Sequence, residues 1–127
     1  MKKAGIILSH TLTEEQTDYL KKVMGAGEIV YFPDELKSKW QNIPPELDNL
    51  DEYLQIFFDW IIKSFENGDI LVIQGDYGAT YKLVNFAKSN GIIAVYATTK
   101  REAIERKNED GTITLERVFK FVRFREY

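Results

Sequence analysis

The sequence predicts a single α/β domain, residues 1–127, built on a parallel sheet, and three observations carry that reading. Four short apolar runs alternate with segments of helical periodicity, the pattern of strand–helix–strand units. The first run stops at Ser9-His10, the second at Pro33 and the third at Gln74-Gly75, so none continues as a helix. The chain is 44% hydrophobic and 13% aromatic over 127 residues, which suits one domain with an ordinary packed core.

Taken in order, Ala4–Leu8 reads as a buried strand. Thr13-Glu14-Glu15-Gln16 then forms a capping box, Thr13 at the N-cap and Gln16 at N3. Leu20, Val23 and Met24 line that helix, and Gly25 or Gly27 stops it. Glu28–Phe32 is the second strand. Asp34–Gln41 is a short helix or an irregular connection, and Pro44-Pro45 breaks the chain. A long helix is expected from about Asn49 to Asn67, with Gly68 as its stop. Its apolar positions, Leu50 through Phe65, are wider than one stripe, which points to a subunit interface beside the core and hence to a homodimer.

Asp69–Ile73 is the third strand, leading into Gln74-Gly75-Asp76-Tyr77-Gly78-Ala79-Thr80 as a loop and then a helix to Asn90. Ile92–Ala97 is the fourth strand, followed by a Thr98–Arg101 loop. Asn108–Gly111 supplies the turn of a C-terminal hairpin whose second strand is Thr112–Phe124. Right-handed crossovers then give a Rossmann-like sheet with helices on both faces. A strand order of 2-1-3-4 puts the topological switch point between the first and third strands, where such sheets bind ligands. The loops gathered there are Ser9–Thr13 and Gln74–Thr80, with Thr98–Arg101 on the same edge.

Composition excludes several classes. There is no cysteine, hence no disulfide framework, thiolate nucleophile or sulfur-bound zinc. The apolar run at the N-terminus is too short for a secretory signal, and no stretch reaches the length of a membrane span, so a soluble cytoplasmic protein is expected. Net charge is −3, unevenly spread: residues 1–99 hold 9 Lys/Arg against 14 Asp/Glu, and residues 100–127 hold 8 against 6. The acidic balance disfavours long nucleic acid. The basic end is either a solvated face or a patch for a smaller polyanion.

The 74–80 segment is the sharpest feature. Gly75 and Gly78 between a strand and a helix let backbone N–H groups approach an anion. It is neither a Walker A motif nor G-x-G-x-x-G. The competing reading is a tight turn, with glycine supplying positive φ and Asp76 or Thr80 capping the helix. His10 is the one histidine, either structural or an acid–base group. Thr98, Thr99, Lys100 and Arg101 offer hydroxyl and cationic contacts to phosphate, or are a solvated strand end. Arg117, Arg123 and Arg125 share one strand parity, which makes one face basic provided no bulge intervenes. No set of carboxylates has metal-site spacing, and no cofactor is expected.

Ile7-Leu-Ser-His-x-Leu-Thr-Glu-Glu-Gln16, Asn-Ile-Pro-Pro-Glu-Leu at 42–47, Gln-Gly-Asp-Tyr-Gly-Ala-Thr-Tyr at 74–81, Tyr-Ala-Thr-Thr-Lys-Arg at 96–101 and Val-Arg-Phe-Arg-x-Tyr at 122–127 resemble a small accessory family of type III CRISPR systems. The resemblance implies a CARF-like fold and a ring nuclease that binds cyclic oligoadenylate, most often the four-adenosine ring, and cleaves it to linear products. In metal-independent cleavage a ribose 2′-OH attacks the adjacent phosphate. On that chemistry Lys100 or Arg101 stabilises charge and His10 serves as acid or base. Ser9, Gln74, Asp76 and Thr80 fix ribose and phosphate, and Tyr77 stacks on adenine. The competing classes are a binding module that does not cut and a protein-interaction module.

Overall fold

The computed structural model describes residues 1–127. Five strands form one sheet: β1 (Lys3–Ile7), β2 (Glu28–Tyr31), β3 (Ile70–Ile73), β4 (Ile93–Lys107) and β5 (Ile113–Glu126), in the order β2-β1-β3-β4-β5. The first four are parallel, and β5 returns antiparallel to β4 as a C-terminal hairpin. The helical segments are α1 (Glu14–Asp18), continuing as a π turn over Tyr19–Val23, then α2 (Asp34–Gln41), α3 (Gln55–Ser64) and α4 (Tyr77–Ser89). The first four strands stand in the order 2-1-3-4, the condition under which the switch point lies between β1 and β3.

Strand alternation divides the core in two. Ile7, Leu71, Ile73 and Ala94 face α2, α3 and α4, with Trp40, Phe57, Ile61 and Leu83 packed on them. Ala4, Ile6, Ile70, Val72 and Val95 face the α1 segment, through Leu12 and Leu20. Both central strands are apolar on both faces, as parallel strands covered by helices must be. Asp69 is the buried charged residue. Its two carboxylate oxygens accept the N–H groups of Lys3 (2.9 Å) and Glu66 (2.8 Å), clipping β1 to the start of β3.

The Thr13 capping box is present with both of its hydrogen bonds, and Gly25 ends the segment at φ +78°. Three expectations are corrected. The helix expected over 49–67 is confined to Gln55–Ser64, because the Asn49 side chain accepts the Asp51 N–H in a turn and Phe65 is already extended. Its wide apolar surface is mostly used internally. Phe58 packs tilted on Phe86 with ring centres 4.6 Å apart and Trp60 meets Phe65 edge-to-face at 5.1 Å, leaving Ile62, at 54% exposure, as the large apolar side chain in the open.

Thr98–Arg101 is strand rather than loop. β4 runs on to Lys107 because β5 supplies a hydrogen-bonding partner along that whole length. The ladder also slips between Thr98 and Thr99: Thr98 faces Arg123, whereas Thr99 faces Phe121, so Val122 is an extra residue in β5. The bulge breaks the parity argument for a basic face. Arg123 and Arg125 pair with Thr98 and Tyr96 on the α4 side, while Arg117 pairs with Ala103 on the α1 side.

Candidate functional site

The last turn of α2 occupies the switch-point crevice. Trp40 Nε1 donates to the Gln74 carbonyl (3.0 Å) and Gln41 Nε2 to the Ser9 carbonyl (2.8 Å), so one helix end is fastened to both loops. Trp40 is buried against Phe57 and explains Gly75: a Cβ there would lie 2.7–2.8 Å from the indole. Neither Gly75 nor Gly78 has positive φ, so the positive-φ explanation fails for both.

Asp76, not Thr80, is the N-cap of α4, its carboxylate accepting Ala79 N–H at 3.0 Å. Tyr77, Gly78 and Thr80 therefore belong to the first turn of the helix rather than to a loop. The Gln74 side chain extends the sheet beyond β3, its Oε1 accepting the Ala97 N–H (3.0 Å). That bond fixes the carboxamide and leaves Nε2 as a donor with no partner in the chain. The Thr80 hydroxyl oxygen is buried and unpartnered.

With the crevice filled, open space lies to either side of it. Between α4 and β4 is a cleft of about 480 Å³ lined by Gln74, Gly75, Tyr77, Thr80, Tyr81, Val84, Tyr96 and Tyr127. Tyr77, at its mouth, is 95% exposed. Tyr96 and Tyr127 pack at a tilt with ring centres 4.8 Å apart, and Arg125 Nη1 donates to the Tyr96 hydroxyl at 2.9 Å. The Tyr127 hydroxyl donates to the Ile73 carbonyl, tying the chain end to β3. Burial, with the Tyr96 phenol beside it, pushes the Tyr127 hydroxyl above the ordinary tyrosine range. On the other side, a cavity of about 230 Å³ is lined by residues including His10, Tyr31, Asp34 and Lys37.

Of the expected site residues, Gln74, Gly75, Tyr77 and Thr80 converge on the tyrosine cleft, with Asp76 and Gly78 beside them on the 42–50 segment. Ser9 and His10 follow β1, and His10 lines the other cavity, its Nδ1 3.3 Å from the Thr11 carbonyl. Thr98, Thr99, Lys100 and Arg101 line neither cavity: Thr98 donates to the Arg123 carbonyl (3.0 Å), and the Arg101 guanidinium lies 5.3 Å from the Phe119 ring centre. Tyr81, Tyr96, Tyr127 and Arg125 were not foreseen as a cluster. Tyr77 and Tyr81 at i, i+4 on one helix were the available signal. The Tyr96–Tyr127 pair depends on hairpin register and left none. No three His, Asp or Glu side chains converge anywhere in the structure.

Fold and site together define an α/β protein with an aromatic, uncharged cleft at the carboxyl edge of its sheet. Residues 2–125 match the Uncharacterized protein MJ1673 family, and the chain belongs to that family. It is 42% identical over 127 residues to Uncharacterized protein MJ1673 of Methanocaldococcus jannaschii, covering all of this chain and 98% of that protein. No solved structure matches it.

Proposed function

We propose that this chain is a cytoplasmic ring nuclease of type III CRISPR signalling that binds cyclic tetra-adenylate on a Rossmann-like, CARF-like sheet and cleaves it without a metal. The observation that carries the reading is convergence. Three separate segments of the family resemblance, 74–81, 96–101 and 122–127, each contribute lining residues to one cleft: Gln74, Tyr77 and Tyr81 from the first, Tyr96 from the second and Tyr127 from the third. Tyrosine rings suit purine stacking, and the oriented Gln74 amide suits a ring nitrogen. In the reaction the ribose O2′–P bond forms as the P–O5′ bond breaks. The 2′ proton leaves to a base, the 5′ oxygen takes one from an acid, and the product ends in a 2′,3′-cyclic phosphate. Arg125, whose guanidinium donates to the hydroxyl of the cleft residue Tyr96, takes the place of Lys100 and Arg101 as the group to stabilise phosphorane charge.

The test is chromatography of labelled ring after incubation with and without excess EDTA. Linear adenylates ending in 2′,3′-cyclic phosphate in both samples support the proposal. No binding to any cyclic oligoadenylate by calorimetry removes it. A second reading, a sensor that holds the ring intact, is favoured by one observation: His10 lies outside the tyrosine cleft. Tight binding with uncut ring after hours selects that reading.

A further inference from the structure

The cleft between α4 and β4 keeps hydrogen-bond donors free and has no acid among its lining residues. Gln74 Oε1 is held by the Ala97 N–H, so the carboxamide offers the cleft its Nε2 alone. The Tyr127 hydrogen is already given to the Ile73 carbonyl. The Tyr96 hydroxyl differs. Its oxygen accepts from Arg125 Nη1 at 2.9 Å, which turns its own hydrogen away from the guanidinium, and that hydrogen has no partner in the chain. The guanidinium lies 5.7 Å from the Tyr96 ring centre and forms no ion pair, so its other N–H groups are free as well. On the α4 side, Tyr77 and Tyr81 present rings 95% and 69% exposed, one turn apart.

We propose that this cleft is a single-nucleotide site: a purine lies against Tyr77 and Tyr81 with an acceptor nitrogen on Gln74 Nε2, and the nucleotide's phosphate is bound by the Tyr96 hydroxyl and the Arg125 guanidinium. The proposal rests on the base-stacking part of the reading above and not on cleavage. Chemistry fixes the ligand class. Exposed aromatic rings suit the face of a base. Adjacent phenol and guanidinium donors, with no carboxylate in the lining, suit a phosphate, because the guanidinium fork matches two of its oxygens. A donor-only amide suits the acceptor nitrogens that adenine and guanine share, and sets no preference between them. Size fixes the number. Small-molecule sites run to roughly 300–1,000 Å³, so a cleft of about 480 Å³ takes one nucleotide rather than four. A cyclic tetra-adenylate is then gripped through one of its nucleotides, and a mononucleotide is enough to fill the site.

NMR titration of the isotope-labelled protein with adenosine, 5′-AMP and 3′-AMP tests this, with near-UV circular dichroism to check each variant's fold. The tighter mononucleotide is expected to bind about tenfold or more better than adenosine, the size of one charge-assisted contact, and to shift the Gln74 side-chain amide. Arg125→Gln and Tyr96→Phe, the latter keeping the ring, each bring that ratio to within a few-fold of one. Adenosine binding as tightly as either mononucleotide overturns the proposal. So does a ratio that either variant leaves unmoved. A cyclic tetra-adenylate that binds while neither mononucleotide does also overturns it, and leaves the ring-nuclease reading standing. A mononucleotide bound as expected, with no affinity for the ring, keeps the single-nucleotide site and removes the ring reading. No binding of mononucleotide or ring removes both.

Discussion

Gly75 has no room for a methyl group, because the Trp40 indole occupies the space a Cβ would take. Gly75→Ala is expected to cost about 1–3 kcal/mol in urea unfolding, the usual range for overpacking, and to shift Trp40 fluorescence. Asp69 acts at the opposite edge of the sheet. Asp69→Ala strands the Lys3 and Glu66 N–H groups. A loss of about 1–3 kcal/mol is expected, since two charge-assisted bonds to part-buried donors go. Tyr127 ties stability to alkaline pH. Its folded pKa is raised from 10.0 by burial and then by Tyr96, so its contribution is complete below that value and is lost as pH climbs through the raised one. Absorbance titration should show a late-ionising phenol that Tyr127→Phe removes. In the cleft, Tyr77→Ala and Tyr81→Ala should each weaken cyclic oligoadenylate binding by about 1–3 kcal/mol in calorimetry while leaving the melting curve nearly unchanged.

At the scale of elements, what each segment does follows from who satisfies its ends. The α4 N-terminus is closed by Asp76, and Asp76→Ala should cost about 1 kcal/mol of stability. The hairpin turn is held by Asp110, whose Oδ1 accepts the Thr112 N–H (3.0 Å) and the Thr112 hydroxyl. Those bonds, the hydroxyl first, hold the Asp110 carboxyl below 3.8. Their contribution is present above that value and lost as pH falls through the lowered one. Carboxyl NMR titration checks the shift, and Asp110→Asn should diminish the turn's protection from exchange. The α2 end shows that an element placed by topology can fill the space topology predicts for a ligand. Trp40 and Gln41 close the switch point and move open volume toward the two cavities.

The whole molecule is a covered parallel sheet with a ribbon extending from one side. Hydrogen exchange should follow that division. Amides of Gly5–Ile7 and Leu71–Ile73, between two packed layers, should exchange slowest. Amides on the open edge of β4 beyond Thr98 should exchange fastest.

Local chemistry was enough to determine the alternation of strands and helices, the Thr13 capping box and the Asn108–Gly111 turn, whereas the sheet order was an assumption that the structure bears out. The first three rest on neighbouring residues or on crossover handedness, which the chain's own stereochemistry imposes. The Gln74–Tyr81 segment was legible as a candidate site for the same reason: a strand end, small residues and a helix start lie within a few positions. Only the tertiary structure decided where β4 ends, because its partner strand is not local and one inserted residue, Val122, resets every face beyond it. Only it set His10 apart from the tyrosines, because Trp40 reaches the switch point from a distant helix. Periodicity along a chain reports what a residue's neighbours require, and it carries no term for a side chain arriving from thirty residues away.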